Sequence, residues 1–117
     1  MSEYALHRLA ADYLRNVMPH SVPWWHTGQT AISARHGANL KAMGVRAGIP
    51  DFSFILPPHG RYAAIELKSE DGEQSNSQAE FERDATKAGG LYAICRSLDE
   101  VEGTLAGWGI KLKGRAA

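Results

Sequence analysis

Residues 51–68 read DFSFILPPHGRYAAIELK. Phe52 to Leu56 is an apolar run of strand length, Pro57-Pro58-His59-Gly60 has the composition of a turn, and residues 61–68 end in alternation with a period of two. Two antiparallel strands joined by that turn are the simplest account. Side chains two apart on a strand share a face, so Glu66 and Lys68 point one way while Ile65 and Leu67 enter the core. Asp51, at the start of the first strand, then lies opposite the end of the second. Two carboxylates and an amine converge.

Two carboxylates a few ångströms apart repel, and the repulsion is relieved by protonating one or by binding a divalent cation. Mg²⁺ prefers such hard oxygen ligands and keeps waters, which leaves positions open for phosphate oxygens. A lysine beside it can orient or deprotonate a metal-bound water, the nucleophile of phosphodiester hydrolysis. The competing reading is a half-exposed strand whose Glu66 and Lys68 are merely solvated. Context favours the site. Gly48-Ile49-Pro50 is a turn that fixes the backbone just before Asp51, Gln78 lies near the inner stripe of its helix, and Glu3 lies at the edge of another.

Outward from this hairpin, Leu6, Leu9, Ala10, Tyr13, Leu14 and Val17 recur at helical spacing, which predicts a helix over residues 3–17 with Ser2 as its N-cap. Residues 22–27 read as a short strand in which Pro23 is confined to a sheet edge or to the first residues. Residues 29–37 are polar and small and are expected to be mobile or ordered by a partner, with one helical turn over 39–43. Ser75 and Gln78 have the spacing of a capping box, Phe81, Ala85 and Ala88 make an inner stripe, and Gly89-Gly90 ends that helix. Residues 91–95 are apolar enough for a strand buried on both faces. Ser97 or Asp99 caps a last helix through Val101, Leu105 and Trp108. The predicted order, α-β-β-β-α-β-α, is an α/β fold with a mixed sheet flanked by helices.

Composition narrows the function classes. The 117 residues are one domain's worth, and 13 Lys plus Arg balance 13 Asp plus Glu, so a highly charged tail protein is excluded. A domain of this size buries roughly two-thirds of its unfolded-state surface, enough for a core that needs no metal or disulfide. Cys95 is the single cysteine and most simply an inert core residue; with five His at no zinc-ligand spacing, a structural zinc site is not expected. The absence of a secretory leader pattern and of a membrane-length apolar stretch points to the cytoplasm of a bacterium or a phage-infected host. Residues 13–50 contain no acid but four cations, Arg15, Arg35, Lys41 and Arg46, whereas residues 51–84 hold eight acids against three cations. A basic flank beside an acidic centre suits a protein that grips phosphates while holding a cation. Arg35, Lys41 and Arg46 are the candidate phosphate contacts. Trp24 and Trp25 are read as packing residues rather than base-stacking platforms.

Taken together, Gly44 to Asp51 (GVRAGIPD), then Ile65-Glu66-Leu67-Lys68, then Ser75 and Gln78 in a helix closed by Gly89-Gly90, resemble the virus-type replication-repair nuclease (VRR-NUC) domain. That domain is part of the PD-(D/E)xK nuclease superfamily, whose core is the restriction-endonuclease-like mixed sheet. The resemblance spans nearly the whole chain, residues 1–117 being read as one such domain with a short basic tail from about 110. It implies Asp51 and Glu66 as metal carboxylates, the Leu67 carbonyl as a further ligand, Lys68 as the catalytic lysine, Gln78 as the supporting glutamine and Glu3 as an acid from the first helix, itself a candidate ligand.

The implied activity is an Mg²⁺-dependent DNA endonuclease, with Mn²⁺ able to substitute, that leaves a 5′-phosphate and a 3′-hydroxyl. A four-way junction presents two strands to be cut and one chain offers one centre, so branched DNA and a homodimer are the economical expectation. The contrasting class is a DNA-binding or partner-docking module of a replication, repair or phage assembly that does not cleave. A restriction-type enzyme ranks last, because so short a chain leaves little surface for reading bases.

Overall fold

The computed structural model describes residues 2–27 and 33–114. Its elements are α1 (Glu3–Val17), β1 (Trp24–His26), α2 (Ala34–Ala42), β2 (Phe52–Leu56), β3 (Arg61–Leu67), α3 (Asn76–Lys87), β4 (Leu91–Cys95) and α4 (Leu98–Gly107). The four strands form one sheet in the order β1-β2-β3-β4, antiparallel except for the parallel β3–β4 pair. The α/β class and mixed sheet are those expected. Among the described residues no helix is long and apolar enough to cross a membrane.

The hairpin has the anticipated register, Phe52 opposite Ile65 and Leu56 opposite Arg61. Ala63, Ile65 and Leu67 on one face of β3 join the main core with Leu6, Leu14 and Val17 of α1 and Val101 and Leu105 of α4. On the other face lie Tyr62, Ala64 and Glu66, and there Phe81 of α3 meets the rings of Tyr62 and Tyr92. Both faces of β3 are therefore covered, and the alternation at its end does not mark a solvated face. Glu66 is 0% exposed.

The helix termini follow local chemistry. Ser2 accepts from the Ala5 N–H, Ser75 and Gln78 form the reciprocal capping box, and Ser97, rather than Asp99, caps α4. Leu9, which the helical spacing put on the inner stripe, is 42% exposed. Its neighbours at Leu6 and Ala10 already fill the contact, and α1 rests on β3 and α4 with its flank open.

Four other expectations change. The region between β1 and β2 holds a nine-residue helix, α2, capped by Ser33 and anchored by buried Leu40, where one turn was expected; residues 28–32 of the anticipated loop lie outside the described residues. The first strand is only Trp24–His26, at the sheet edge and starting just after Pro23, and it leaves Trp25 45% exposed while Trp24 packs against the core. β4 is the opposite edge rather than a strand buried on both faces, so only Cys95 on it is fully buried. The segment from about 110 is docked, at least to Gly114: Ile110 is buried and the Lys113 N–H donates to the Val17 carbonyl at 2.8 Å.

Candidate active site

Asp51 is delivered by a loop that the backbone must turn tightly. Gly48 has φ +79°, and a Cβ there would run into the Ser77 backbone at the start of α3. The loop therefore abuts α3 before buried Pro50 leads into Asp51. The Asp51 carbonyl accepts the Thr27 N–H at 2.9 Å, and its side-chain Oδ2 accepts the Leu67 N–H at 2.6 Å. The antiparallel pairing of β2 and β3 thus ends in a side-chain bond that sets the acid beside the Glu66-Leu67-Lys68 segment.

Glu66 has a divided environment. Its Oε1 accepts from the Tyr92 hydroxyl and from Gln74 Nε2, the latter at 3.2 Å. Its Oε2 is buried without a hydrogen-bond partner, and the nearest cation is Lys68 Nζ at 3.9 Å. A fully buried carboxylate oxygen with one distant ammonium and no donor is an expensive arrangement unless something else binds there. Burial, foremost, pushes the Asp51 carboxyl above its ordinary value, and the charges of Glu3 and Glu66 add to this. The Leu67 N–H and His7 pull it back down. Asp51 is thus held where burial works against its negative charge, and Glu3, exposed on the first turn of α1, faces the same cleft as Asp51.

The remaining expected residues are distributed differently. Gln78 is committed to the α3 cap, its Oε1 accepting the Ser75 N–H at 2.8 Å, and the glutamine that touches Glu66 is Gln74, which also donates to Glu82 at 2.9 Å. Leu67 meets Asp51 through its N–H. Arg46 is drawn to α3, 2.6 Å from Asp84 and over the Phe81 ring at 5.1 Å. Arg35 and Lys41 are exposed on α2. Cys95 is buried, which pushes its thiol up and away from reactivity.

Besides Gln74, a tyrosine and a pair of histidines were not anticipated. Tyr92 reaches Glu66 because the parallel register sets Glu66 opposite Ile94, two residues along β4. Reading β3 and β4 as parallel neighbours would have signalled it. The other is a histidine pair: His7 Nδ1 is 3.3 Å from His26 Nε2, and His7 Nε2 is 3.7 Å from Asp51 Oδ2. Burial first, and His7 second, push the His26 imidazole below its ordinary value. No spacing along the chain reveals this pair, because α1 and β1 supply one histidine each.

A VRR-NUC domain family model matches residues 5–99. A solved structure described as a VRR_NUC domain protein is similar in fold, with a TM-score of 0.72 at 18% sequence identity over 91% of this chain and 86% of that one. A search of curated proteins gave no match. The order of Asp51 just before β2, Glu66 on β3 and Lys68 just after it, the helix that follows, and a match across most of the chain lead to one conclusion: this protein belongs to the VRR-NUC domain family.

Proposed function

We propose that the chain is a divalent-metal-dependent DNA endonuclease whose centre consists of Asp51, Glu66 and Lys68. The observation that carries this reading is the buried, unpartnered Glu66 Oε2 with Lys68 Nζ 3.9 Å away. That atom, the neighbouring Asp51 carboxylate and the acid of Glu3 are hard oxygen donors, the set that Mg²⁺ or Mn²⁺ takes. The residues therefore fit the ion, with the Leu67 carbonyl as the further ligand that the family pattern implies. When bound, the ion supplies the Lewis-acid charge that phosphodiester hydrolysis requires.

The chain's own residues do the rest. The Leu67 N–H holds the Asp51 carboxylate in one orientation, and Tyr92 with Gln74 holds Glu66 through its other oxygen. Lys68 orients the attacking water and counters the negative charge that grows on the phosphate. Arg35 and Lys41, exposed on α2, contact DNA phosphates outside the centre. Branched DNA, such as a four-way junction, cut by a homodimer that offers one centre per strand, is the substrate class we assign.

Digestion of labelled junction, flap, duplex and single-stranded DNA with Mg²⁺, Mn²⁺ or EDTA tests the reading. Metal-dependent cutting, greatest on the junction and abolished in Lys68→Ala, is expected. Junction binding without cleavage in any metal would instead identify a docking module, and cutting unaffected by Lys68→Ala would reject the centre.

A further inference from the structure

We propose that His7, His26 and Asp51 form a second metal site, one for a transition-metal dication of the Zn²⁺ class, distinct from the hard-ion position of Asp51 and Glu66. One ligand atom from each of the three residues lies within 4.8 Å of the others. For zinc–nitrogen bonds of about 2.0–2.1 Å, two ligand atoms on a tetrahedron are about 3.4 Å apart. His7 Nδ1 and His26 Nε2 are 3.3 Å apart. The imidazoles lie nearly perpendicular, at 85°, with centroids 5.5 Å apart, so they are not stacked and the close approach between them is the one between nitrogens.

The surroundings suit an ion. The three residues line an open cleft of about 570 Å³, which leaves room for a water as fourth ligand. Two arginines share that cleft, but Arg15 is engaged with Asp12 at 2.8 Å and Arg8 with the Tyr4 hydroxyl at 3.5 Å. Two imidazoles and one carboxylate favour Zn²⁺, Co²⁺ or Ni²⁺ and discriminate against Mg²⁺. The carboxylate position has the opposite preference, so Asp51 stands between two sites of different chemical softness. The site does not require the nuclease reading.

Zn²⁺ titration of the full chain, followed through the imidazole signals in ¹⁵N-edited NMR spectra, tests the proposal. The signals of His7 and His26 should shift or broaden while those of His20, His36 and His59 stay in place. Calorimetry with Co²⁺ should give affinity weakened by at least about tenfold in His26→Ala and in His7→Gln, the lower end of what losing a mere supporting partner costs a metal site. Glu66→Gln should leave that affinity intact. Zn²⁺ that leaves the two imidazole signals unmoved, or affinity lost in Glu66→Gln and kept in His26→Ala, would overturn it. DNA cleavage with Mg²⁺ beside unresponsive imidazoles defeats this site alone, and Zn²⁺ binding by a chain that cuts no DNA defeats the nuclease reading alone.

Discussion

The carboxylate of Asp51 bonds the backbone N–H of Leu67 at 2.6 Å, so the residue that opens β2 is tied to the residue between Glu66 and Lys68. The bond does structural and electrostatic work together: it closes the end of the hairpin and draws the acid back toward ionisation against the burial that opposes it. Asp51→Asn retains an oxygen for Leu67 and should stay within about 1 kcal/mol of wild-type stability, whereas Asp51→Ala strands a buried N–H at a cost of about 1–3 kcal/mol. Urea unfolding of the two variants separates the bond from the charge, since both should lose metal-dependent cleavage.

Glu66→Gln should raise stability in EDTA by on the order of 1 kcal/mol, because the buried charge it removes has no donor on Oε2 and only the Lys68 ammonium, 3.9 Å away, to offset its desolvation. The glutamine oxygen can still accept from Tyr92 and Gln74. The same variant should lose about a hundredfold or more in cleavage rate. Thermal unfolding beside a cleavage assay detects the opposed signs; a melting temperature lowered in EDTA would show that the carboxylate stabilises the fold without an ion.

Gly48→Ala should destabilise the chain by about 2 kcal/mol or more. Part of that cost is the positive φ of +79°, and the rest is the Ser77 backbone that the methyl would meet. The loss should appear in urea unfolding, together with weakened Mn²⁺ binding, since the loop presents Asp51.

Gln78→Ala removes one half of the capping box and should cost about 1 kcal/mol, comparable to the loss of an N-cap. Gln78→Glu keeps the box and should restore stability. If the cap is the residue's whole duty, cleavage by Gln78→Ala follows its folded fraction; a tenfold or greater deficit per folded molecule, about 1.4 kcal/mol, would assign the side chain a direct part in the site.

Stability should fall at alkaline pH through Tyr13. Burial first, and the hydrogen bond to Glu102 second, push its phenol up to about 12 from the ordinary 10.0. The unfolded chain releases that proton first, so the contribution is complete below the unfolded pKa and is lost as pH climbs toward the folded one. Tyr13→Phe should flatten the decline between those two values in chemical unfolding followed against pH. An unchanged slope would exclude this tyrosine as its source.

Much of the fold was legible because its determinants are local. The Ser2 and Ser75 caps, the Pro-Pro-His-Gly turn and the helix of α1 each depend on determinants within a few residues, and each stands as read. Position 9 on that stripe, the length of α2 and the partial burial of β4 were not legible, because each depends on how much of an element its neighbours cover.

The candidate site divides in the same way. The primary structure by itself made the meeting of Asp51 with the Glu66–Lys68 segment the expectation, since two strand-length runs joined by one short turn bring their far ends together; the register that realises it is seen in the fold. Only the tertiary structure decided that Glu66 is buried without a hydrogen-bond donor on Oε2, that Gln74 and Tyr92 rather than Gln78 hold it, and that His7 and His26 adjoin Asp51. Those facts depend on α3, β4, α1 and β1 closing around the hairpin from distant parts of the chain, and packing between distant segments leaves no period or spacing to be read along it.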